Sequence, residues 1–199
     1  MPIGGRLSAR RSTHRNRSCL MKPYLALAHG IDRVNEWLGR FAVWAVFISC
    51  MVSAVNATMR YLLDYSSNAW LEVQWYLFAV TVMLGAAWVL KLNEHVRVDV
   101  VYGGRTGPTK AKIDLFGLLV FLMPAALLMV WMSWPWFLEA WHSGEISGNA
   151  GGLIRWPVKL LIPFGFLMLS LQGIAEIIKR IAFLRGQYDM DTQYERPLQ

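Results

Sequence analysis

Charged residues are scarce in this sequence: they make up 17% of its 199 residues, against 55% that are hydrophobic. A soluble domain usually carries roughly a quarter charged residues. A soluble all-helical protein with a large core is the alternative, but its helices would be amphipathic, whereas the apolar runs here are long and almost free of charge. The composition therefore favours an integral membrane protein.

Cysteine is also scarce, with Cys19 in a basic tail and Cys50 inside an apolar run. They are expected at different depths relative to a membrane and are not expected to pair. No two cysteines stand in a CxxC arrangement. This excludes the thiol–disulfide chemistry of four-helix membrane thiol oxidases, which requires such a pair.

Groups that would hold a cofactor are missing from the apolar runs. The sequence has four histidines, and none lies well inside such a run: His14, His29, His95 and His142. A dihaem membrane cytochrome needs pairs of axial histidines within its spans, and a metal site needs converging ligands. The sequence also lacks a nucleophile elbow, a phosphate-binding glycine loop and a zincin motif. We therefore expect no catalytic residue, no metal and no cofactor.

Four apolar runs are long enough to cross a bilayer as helices. They cover about residues 37–61, 70–92, 113–138 and 157–178. Pro124 lies midway through the third run and is expected to kink that helix. The predicted fold is therefore an all-α integral membrane protein with four transmembrane helices.

Lysine and arginine alternate between the flanks of these runs. Eight precede or open the first span, five lie between the end of the second span and the start of the third, and four follow the fourth. The loop at 62–69 has none and the loop at 139–156 has one, Arg155. The positive-inside rule then places both termini and the central loop in the cytoplasm, as in a multi-pass protein of a bacterial inner membrane. Basic residues gathered outside the spans indicate topology and membrane lipids rather than nucleic acid.

Three regions follow from this pattern. Residues 1–23 are predicted to be a disordered basic tail, residues 24–181 the membrane domain, and residues 182–199 a cytoplasmic tail. Before the first span, apolar residues recur at helical spacing: Leu27, Ile31, Val34, Leu38 and Phe41. We predict an amphipathic helix on the cytoplasmic surface. The alternative is that these residues are the first turns of a long, tilted first span.

Polar residues within the spans suggest packing contacts. Spacings of four, three and four residues place one set on a single face of the first helix: Ser49, Ser53, Asn56 and Arg60. Such a stripe normally faces protein rather than lipid. We expect Arg60 to approach Glu72, which opens the second helix, because an unpaired charge at this depth is unfavourable. A structural pair is favoured over a proton or ion site at Glu72.

Two further groups are expected to have structural roles. Near the end of the fourth span, Glu176 is expected to be neutralised by Lys179 and Arg180 within one turn. Small residues on the second span, Gly85, Ala86 and Ala87, are candidates for helix packing or partner contact. No ionisable pathway crosses the middle of the spans, which argues against a stand-alone pump or carrier.

The short charged segment at 93–100 admits two interpretations. It contains Glu94, His95, Arg97 and Asp99 between the second and third spans. It is either an assembly cluster at the cytoplasmic surface, with the alternating valines beneath it, or a solvated loop whose basic residues set the topology. We favour assembly.

The chain from about residue 56 to residue 181 resembles the small permease subunit of tripartite ATP-independent periplasmic (TRAP) transporters, the DctQ-like family. The resemblance rests on matched segments in order: NATMRY at 56–61, WLEVQWYLF at 70–78, LGAA at 84–87, NEHVRVDV at 93–100, EIS at 145–147, GGL at 151–153 and WPVK at 156–159. One departure is Val73, where many relatives carry a second acid after Glu72.

The resemblance implies a non-catalytic subunit. Such subunits act as a membrane scaffold for a larger subunit that holds the sodium and substrate sites, and a periplasmic binding protein delivers an organic acid. Two other classes of function remain as alternatives. A membrane-anchor subunit of a quinone-linked oxidoreductase would require haem-ligating histidines in the spans, and a small membrane enzyme would require converging polar groups.

Overall fold

A computed structural model describes residues 5–65, 67–93, 106–149 and 151–189, with side chains described from Met21 onward. Four helices account for nearly all of these residues. They are α1 (Gly5–Leu63), α2 (Asn68–Leu92), α3 (Gly107–Ser143) and α4 (Trp156–Leu184). Each contains a stretch long and apolar enough to cross a membrane, which confirms the prediction of an all-helical chain with four helices of that kind in the described ranges.

Local sequence signals explain where the helices begin and end. Pro108 and Pro157 occupy the first turns of α3 and α4, where the missing N–H has no helical partner to lose. Asn93 ends α2 in the left-handed conformation with φ 62°, and its N–H bonds to the carbonyl of Leu90. Gly144 ends α3 in the same conformation.

Successive helices run in opposite directions, which gives the bundle two distinct ends. The short-loop end carries the described residues of two loops: 64, 65 and 67 in the first, and 144–149 and 151–155 in the second. The termini end carries the described N-terminal turns of α1 and the C-terminus of α4, where the Arg185 guanidinium lies 3.8 Å from the sulfur of Met21. Both described chain ends therefore lie at the same end of the bundle.

Helix α4 is the centre of the packing. It contacts α1, α2 and α3, whereas α3 packs mainly on α4 and lies at the edge. In the most apolar part of each helix, 39% of the α4 residues are buried, against 11% for α3. The residues buried on α1 and α2 are mostly small or medium-sized, including Ala42, Ala45 and Ala87. Large side chains point outward, as expected where lipid rather than water surrounds the helices.

Two glycines permit the closest helix crossings. A Cβ on Gly39 of α1 would lie 2.5 Å from the ring of Trp88 in α2. A Cβ on Gly165 of α4 would lie 2.7 Å from the Cβ of Met83 and 2.9 Å from its carbonyl oxygen. Close approach of this kind increases van der Waals contact between helices in a membrane.

Helix α3 is interrupted near its middle by a π-helical stretch. Residues Gly107–Gly117 and Met123–Ser143 are α-helical, and Leu118–Leu122 between them is π-helical. Pro124 stands two residues after its end, and the proline ring would clash with the carbonyl four residues earlier in a regular α-helix. The wider π turn accommodates that disturbance.

The segment before the first span is not a separate helix. Residues 24–36 continue without a break into α1. This corresponds to the alternative interpretation, a long first helix, and the structure shows no separate surface helix. The disorder proposed for residues 1–23 stays a prediction.

Candidate functional site

The first polar cluster lies at the short-loop end and is centred on Glu72 of α2. Its side chain is buried, although Glu72 lies about one turn after the start of α2. The carboxylate accepts hydrogen bonds from the Asn149 side-chain amide at 2.7 Å, from the Leu153 N–H at 2.8 Å and from the Ser147 hydroxyl. All three donors belong to the loop between α3 and α4. We call these four residues the loop clamp.

The loop folds so that its donors face Glu72. A short antiparallel bridge joins its two sides, with the Ser147 N–H bonding the Leu153 carbonyl at 2.9 Å. Gly151 adopts a φ of +73°, which a residue with a side chain rarely adopts. At Gly152 a Cβ would lie 2.4 Å from the carbonyl oxygen of Ser147. The glycine pair is therefore required for the tight return of the loop.

Charged residues beside the clamp fix the loop to the start of α4. The Glu145 carboxylate pairs with Arg155 at 3.0 Å and with Lys159. Hydrogen bonds from Lys159 and then Arg155 hold the pKa of Glu145 below its ordinary value. The Lys159 ammonium also lies 4.3 Å from the centre of a Trp136 ring. A cation held over an aromatic face adds a contact to α3.

A cavity of about 230 Å³ lies between the loop clamp and α3. Its walls include Trp75, Tyr76 and Trp136, together with Arg155 and Lys159. The two cationic side chains both pair with Glu145, and the Tyr76 hydroxyl donates to the carbonyl of Ile154 at 3.1 Å. The cavity therefore presents aromatic faces beside charges that are already paired.

The second cluster lies at the termini end and is centred on Gln172 of α4, which is fully buried. Its amide nitrogen donates to Asp32 at 2.8 Å and to Glu176 at 3.2 Å. Its amide oxygen accepts from the Asn35 side chain at 2.8 Å. The amide thereby joins two polar residues of α1 to α4 inside the bundle.

Two cations complete this cluster. Lys179 lies 3.1 Å from Asp32 and also pairs with Glu176. Arg180 pairs with Glu176 and donates to Asp114 of α3 at 3.2 Å. Buried charges need such partners because removing them from water is unfavourable. We call Asp32, Asn35, Asp114, Gln172, Glu176, Lys179 and Arg180 the ion-pair network.

A separate contact joins α2 to the same end. The Lys91 ammonium lies 2.7 Å from the carboxylate of Glu36, which also pairs with Arg40. Together with the ion-pair network, this contact links all four helices at the termini end.

The middle of the bundle has no charged side chain. No Asp, Glu, Lys or Arg occurs within residues 41–59, 73–90, 115–138 or 160–175. Among the described residues, no three or more His, Cys, Asp or Glu side chains are grouped to hold a metal ion. The described polar clusters therefore join helices and a loop at the two ends.

The predicted polar stripe on α1 forms no hydrogen bonds across helices in the described part of the chain. Ser49 and Asn56 are half-buried, whereas Ser53 and Arg60 are exposed. Thr81 of α2 instead makes a long contact of 3.5 Å with the backbone carbonyl of Ala42.

The predicted pairing of Arg60 with Glu72 is wrong. Arg60 is exposed at the end of α1, and no ion pair joins it to Glu72 among the described residues. Three neutral donors from a loop distant in sequence hydrogen-bond the carboxylate instead. The pairing of Glu176 with Lys179 and Arg180 is confirmed.

Other predicted residues have different outcomes. Glu94, His95, Arg97 and Asp99 lie outside the described residues. Ala87 is fully buried, Ala86 is half-buried, and a Cβ on Gly85 would meet open space. Gly85 therefore makes no close crossing within the described chain.

Sequence reasoning missed the contributions of Asp32 and Asn35. They stand three residues apart on α1, opposite a strongly apolar face, which is the available signal for a buried polar face. Their partners are about 140 residues away, so the pairing itself had no local signal.

The chain matches one family model. No curated protein and no solved structure matches it. The model described as "Tripartite ATP-independent periplasmic transporters, DctQ component" matches residues 49–183. The matched region includes Glu72, the whole α3–α4 loop and the α4 side of the ion-pair network. The family is a transporter component, and the oxidoreductase-anchor alternative has no support from the match. The chain is a multi-pass membrane protein that belongs to the DctQ family of TRAP transporter components.

Proposed function

We propose that this chain is a rigid scaffold for the large permease subunit of a TRAP transporter. The complex takes up an organic acid, coupled to an ion, after a periplasmic binding protein delivers it. The observation that carries this proposal is the placement of charge: buried ion pairs and hydrogen bonds fix both ends of the bundle, and the segments between them are uncharged. A carrier needs an ionisable or hydrated path, whereas a scaffold needs fixed helices.

The proposed orientation places the termini end in the cytoplasm of a bacterial inner membrane. The segments before the first span and after the fourth are rich in lysine and arginine, and the positive-inside rule favours the cytoplasm for such segments. The α3–α4 loop would then face the periplasm. A reporter that works only in the cytoplasm should be active when it is fused after residue 189. Activity of a reporter that works only in the periplasm, fused at the same position, would contradict the orientation.

Reconstitution tests the scaffold function. The large permease subunit of the transporter is placed in liposomes with and without this chain, and the binding protein and its ligand are added outside. Uptake should require this chain, and the two membrane subunits should co-purify. Full uptake by the permease and binding protein alone would contradict the proposal.

A further inference from the structure

The cavity at the short-loop end lies in a groove between α2 and α3. Both helices pack on α4 and make little contact with each other in the described chain. Val158 and Lys159 in the first turn of α4 line the cavity, together with Trp75 of α2 and Trp136 of α3. Ser147 of the loop clamp also borders it. We call this place the α2–α3 groove.

Lys159 is buried in this groove but uses little of its hydrogen-bonding capacity. Its side chain is 8% exposed, and its ammonium carries three N–H donors. Among the described residues it bonds one acceptor, the Glu145 carboxylate, and it also lies over a Trp136 ring. The Arg155 guanidinium, with five N–H donors, likewise bonds one acceptor in the described ranges, the other oxygen of Glu145. Buried donors are normally paired, so a further acceptor is expected beside Lys159.

The two acids beside the groove are already engaged. Glu145 shares its two oxygens between Arg155 and Lys159. Glu72 also lines the cavity, but its two oxygens accept three hydrogen bonds from the α3–α4 loop. The further acceptor for Lys159 is therefore expected from a bound molecule.

The depth and the walls of the groove indicate the chemistry of that molecule. Trp75, Trp136 and Lys159 all lie within about two turns, or about 11 Å, of the helix ends at the short loops. Tryptophan at this depth marks the boundary between lipid headgroups and hydrocarbon. Water or a small anion would suit the cations but not the indole faces. A phospholipid suits both, because it has phosphate oxygens for the cations and acyl chains for the rings.

We propose that the α2–α3 groove binds one phospholipid of the leaflet at the short-loop end. Its phosphate oxygens accept hydrogen bonds from Lys159 and Arg155, and the first carbons of an acyl chain lie against Trp75 and Trp136. A lipid held in this way bridges two helices that make little contact with each other, and it stabilises this end of the bundle. The site goes beyond the scaffold function, because it uses residues of this chain alone.

Native mass spectrometry of the full chain, purified in mild detergent and stripped of lipid, tests the site. Phosphatidylglycerol, diacylglycerol with the same acyl chains and inorganic phosphate are titrated separately. One phosphatidylglycerol should bind at least about tenfold more tightly than diacylglycerol, because only its phosphate forms charge-assisted hydrogen bonds. Inorganic phosphate should neither bind nor compete at the same concentration. Equal binding of diacylglycerol would overturn the phosphate contact, and equal binding of inorganic phosphate would overturn the lipid in favour of a small-anion site.

Two variants separate lipid binding by Lys159 from its pairing with Glu145. Lys159→Gln should weaken phosphatidylglycerol binding about tenfold, because it removes a cationic donor to the phosphate. Glu145→Gln is the matched control, since it breaks the same ion pair but leaves both cations in the groove. It should bind the lipid at least as tightly as the natural chain does, at a temperature where both are folded. Equal weakening by the two variants would show that the ion pair alone needs Lys159, and would overturn the proposal.

The aromatic wall has its own pair of variants. Trp75→Leu should lower the affinity for phosphatidylglycerol several-fold, because it removes ring surface from the acyl chain. Trp131→Leu makes the same change on α3 at a side chain that is 79% exposed and outside the cavity, and it should leave the affinity unchanged. Equal affinity of the two variants would overturn the acyl-chain contact. Loss of the phospholipid when the chain is bound to the large permease subunit would show that protein fills the groove, and would overturn the site.

Discussion

The side-chain amide of Asn149 donates a hydrogen bond of 2.7 Å to Glu72, which lies 77 positions earlier in the chain. This bond joins the start of α2, which carries one segment of the family resemblance, to the loop between α3 and α4. The loop between α3 and α4 is therefore part of the folded bundle.

Glu72→Ala should release that loop. The variant leaves the donors of Ser147, Asn149 and Leu153 without their acceptor, and a buried donor left unpaired is unfavourable. We expect faster protease cleavage within residues 145–155 and a melting temperature lower by several degrees in detergent. Glu139→Ala is the matched control, because Glu139 is exposed at the same end and pairs with no residue of the described chain. Equal cleavage of both variants would contradict the clamp.

Lys179→Met should be strongly destabilising. It removes the cation that pairs with Asp32 and Glu176 and leaves buried negative charge, a change that typically costs about 3–5 kcal/mol. In a double-mutant cycle with Asp32→Asn, the combined loss should be smaller than the sum of the single losses. Additive losses in chemical unfolding would show that the two residues are not coupled.

Gly165→Ala should loosen the crossing of α2 and α4. The new Cβ would meet the backbone carbonyl of Met83, which cannot move aside as a flexible side chain can. We expect a loss of about 1–3 kcal/mol in unfolding free energy. Gly85→Ala adds the same methyl group to open space in α2 and should be neutral or slightly stabilising. A similar loss in both variants would point to helix propensity instead of packing.

Acid should weaken the contact between Glu145 and the start of α4. The folded-state pKa of Glu145 is lowered by Lys159 and Arg155, so its contribution is complete above the ordinary glutamate pKa and is lost as pH falls through the lowered value. The difference in melting temperature between the natural chain and Glu145→Gln should therefore be largest near neutral pH and shrink in acid. A melting-temperature difference that stays constant from neutral to acid pH would show that ionised Glu145 does not stabilise this contact.

Replacing Arg97 and Asp99 together should lower recovery of the large permease subunit in pull-downs. This follows from the assembly interpretation of the segment at 93–100, which stays a prediction. The yield of the chain itself is the control and should not change if the two residues act in assembly. Unchanged recovery and unchanged uptake would favour a loop that sets topology.

Much of the architecture could be predicted from the sequence. The four spans are apolar runs of the length that a bilayer requires, and this property belongs to each segment alone. Pairing within one helix was also predictable: Glu176, Lys179 and Arg180 stand three and four residues apart and meet as expected. The family could also be predicted, because the matched segments are short stretches of local sequence.

The contacts between helices were decided by the tertiary structure. Glu72 was expected to bond Arg60, twelve positions away, but it bonds residues about 80 positions away. Asp32 meets Lys179 across 147 positions. Such contacts depend on how each helix is rotated about its axis and how far it slides along its neighbours. These two quantities are set by packing of whole helix surfaces, including Gly39 against Trp88 and Gly165 against Met83, and not by local sequence.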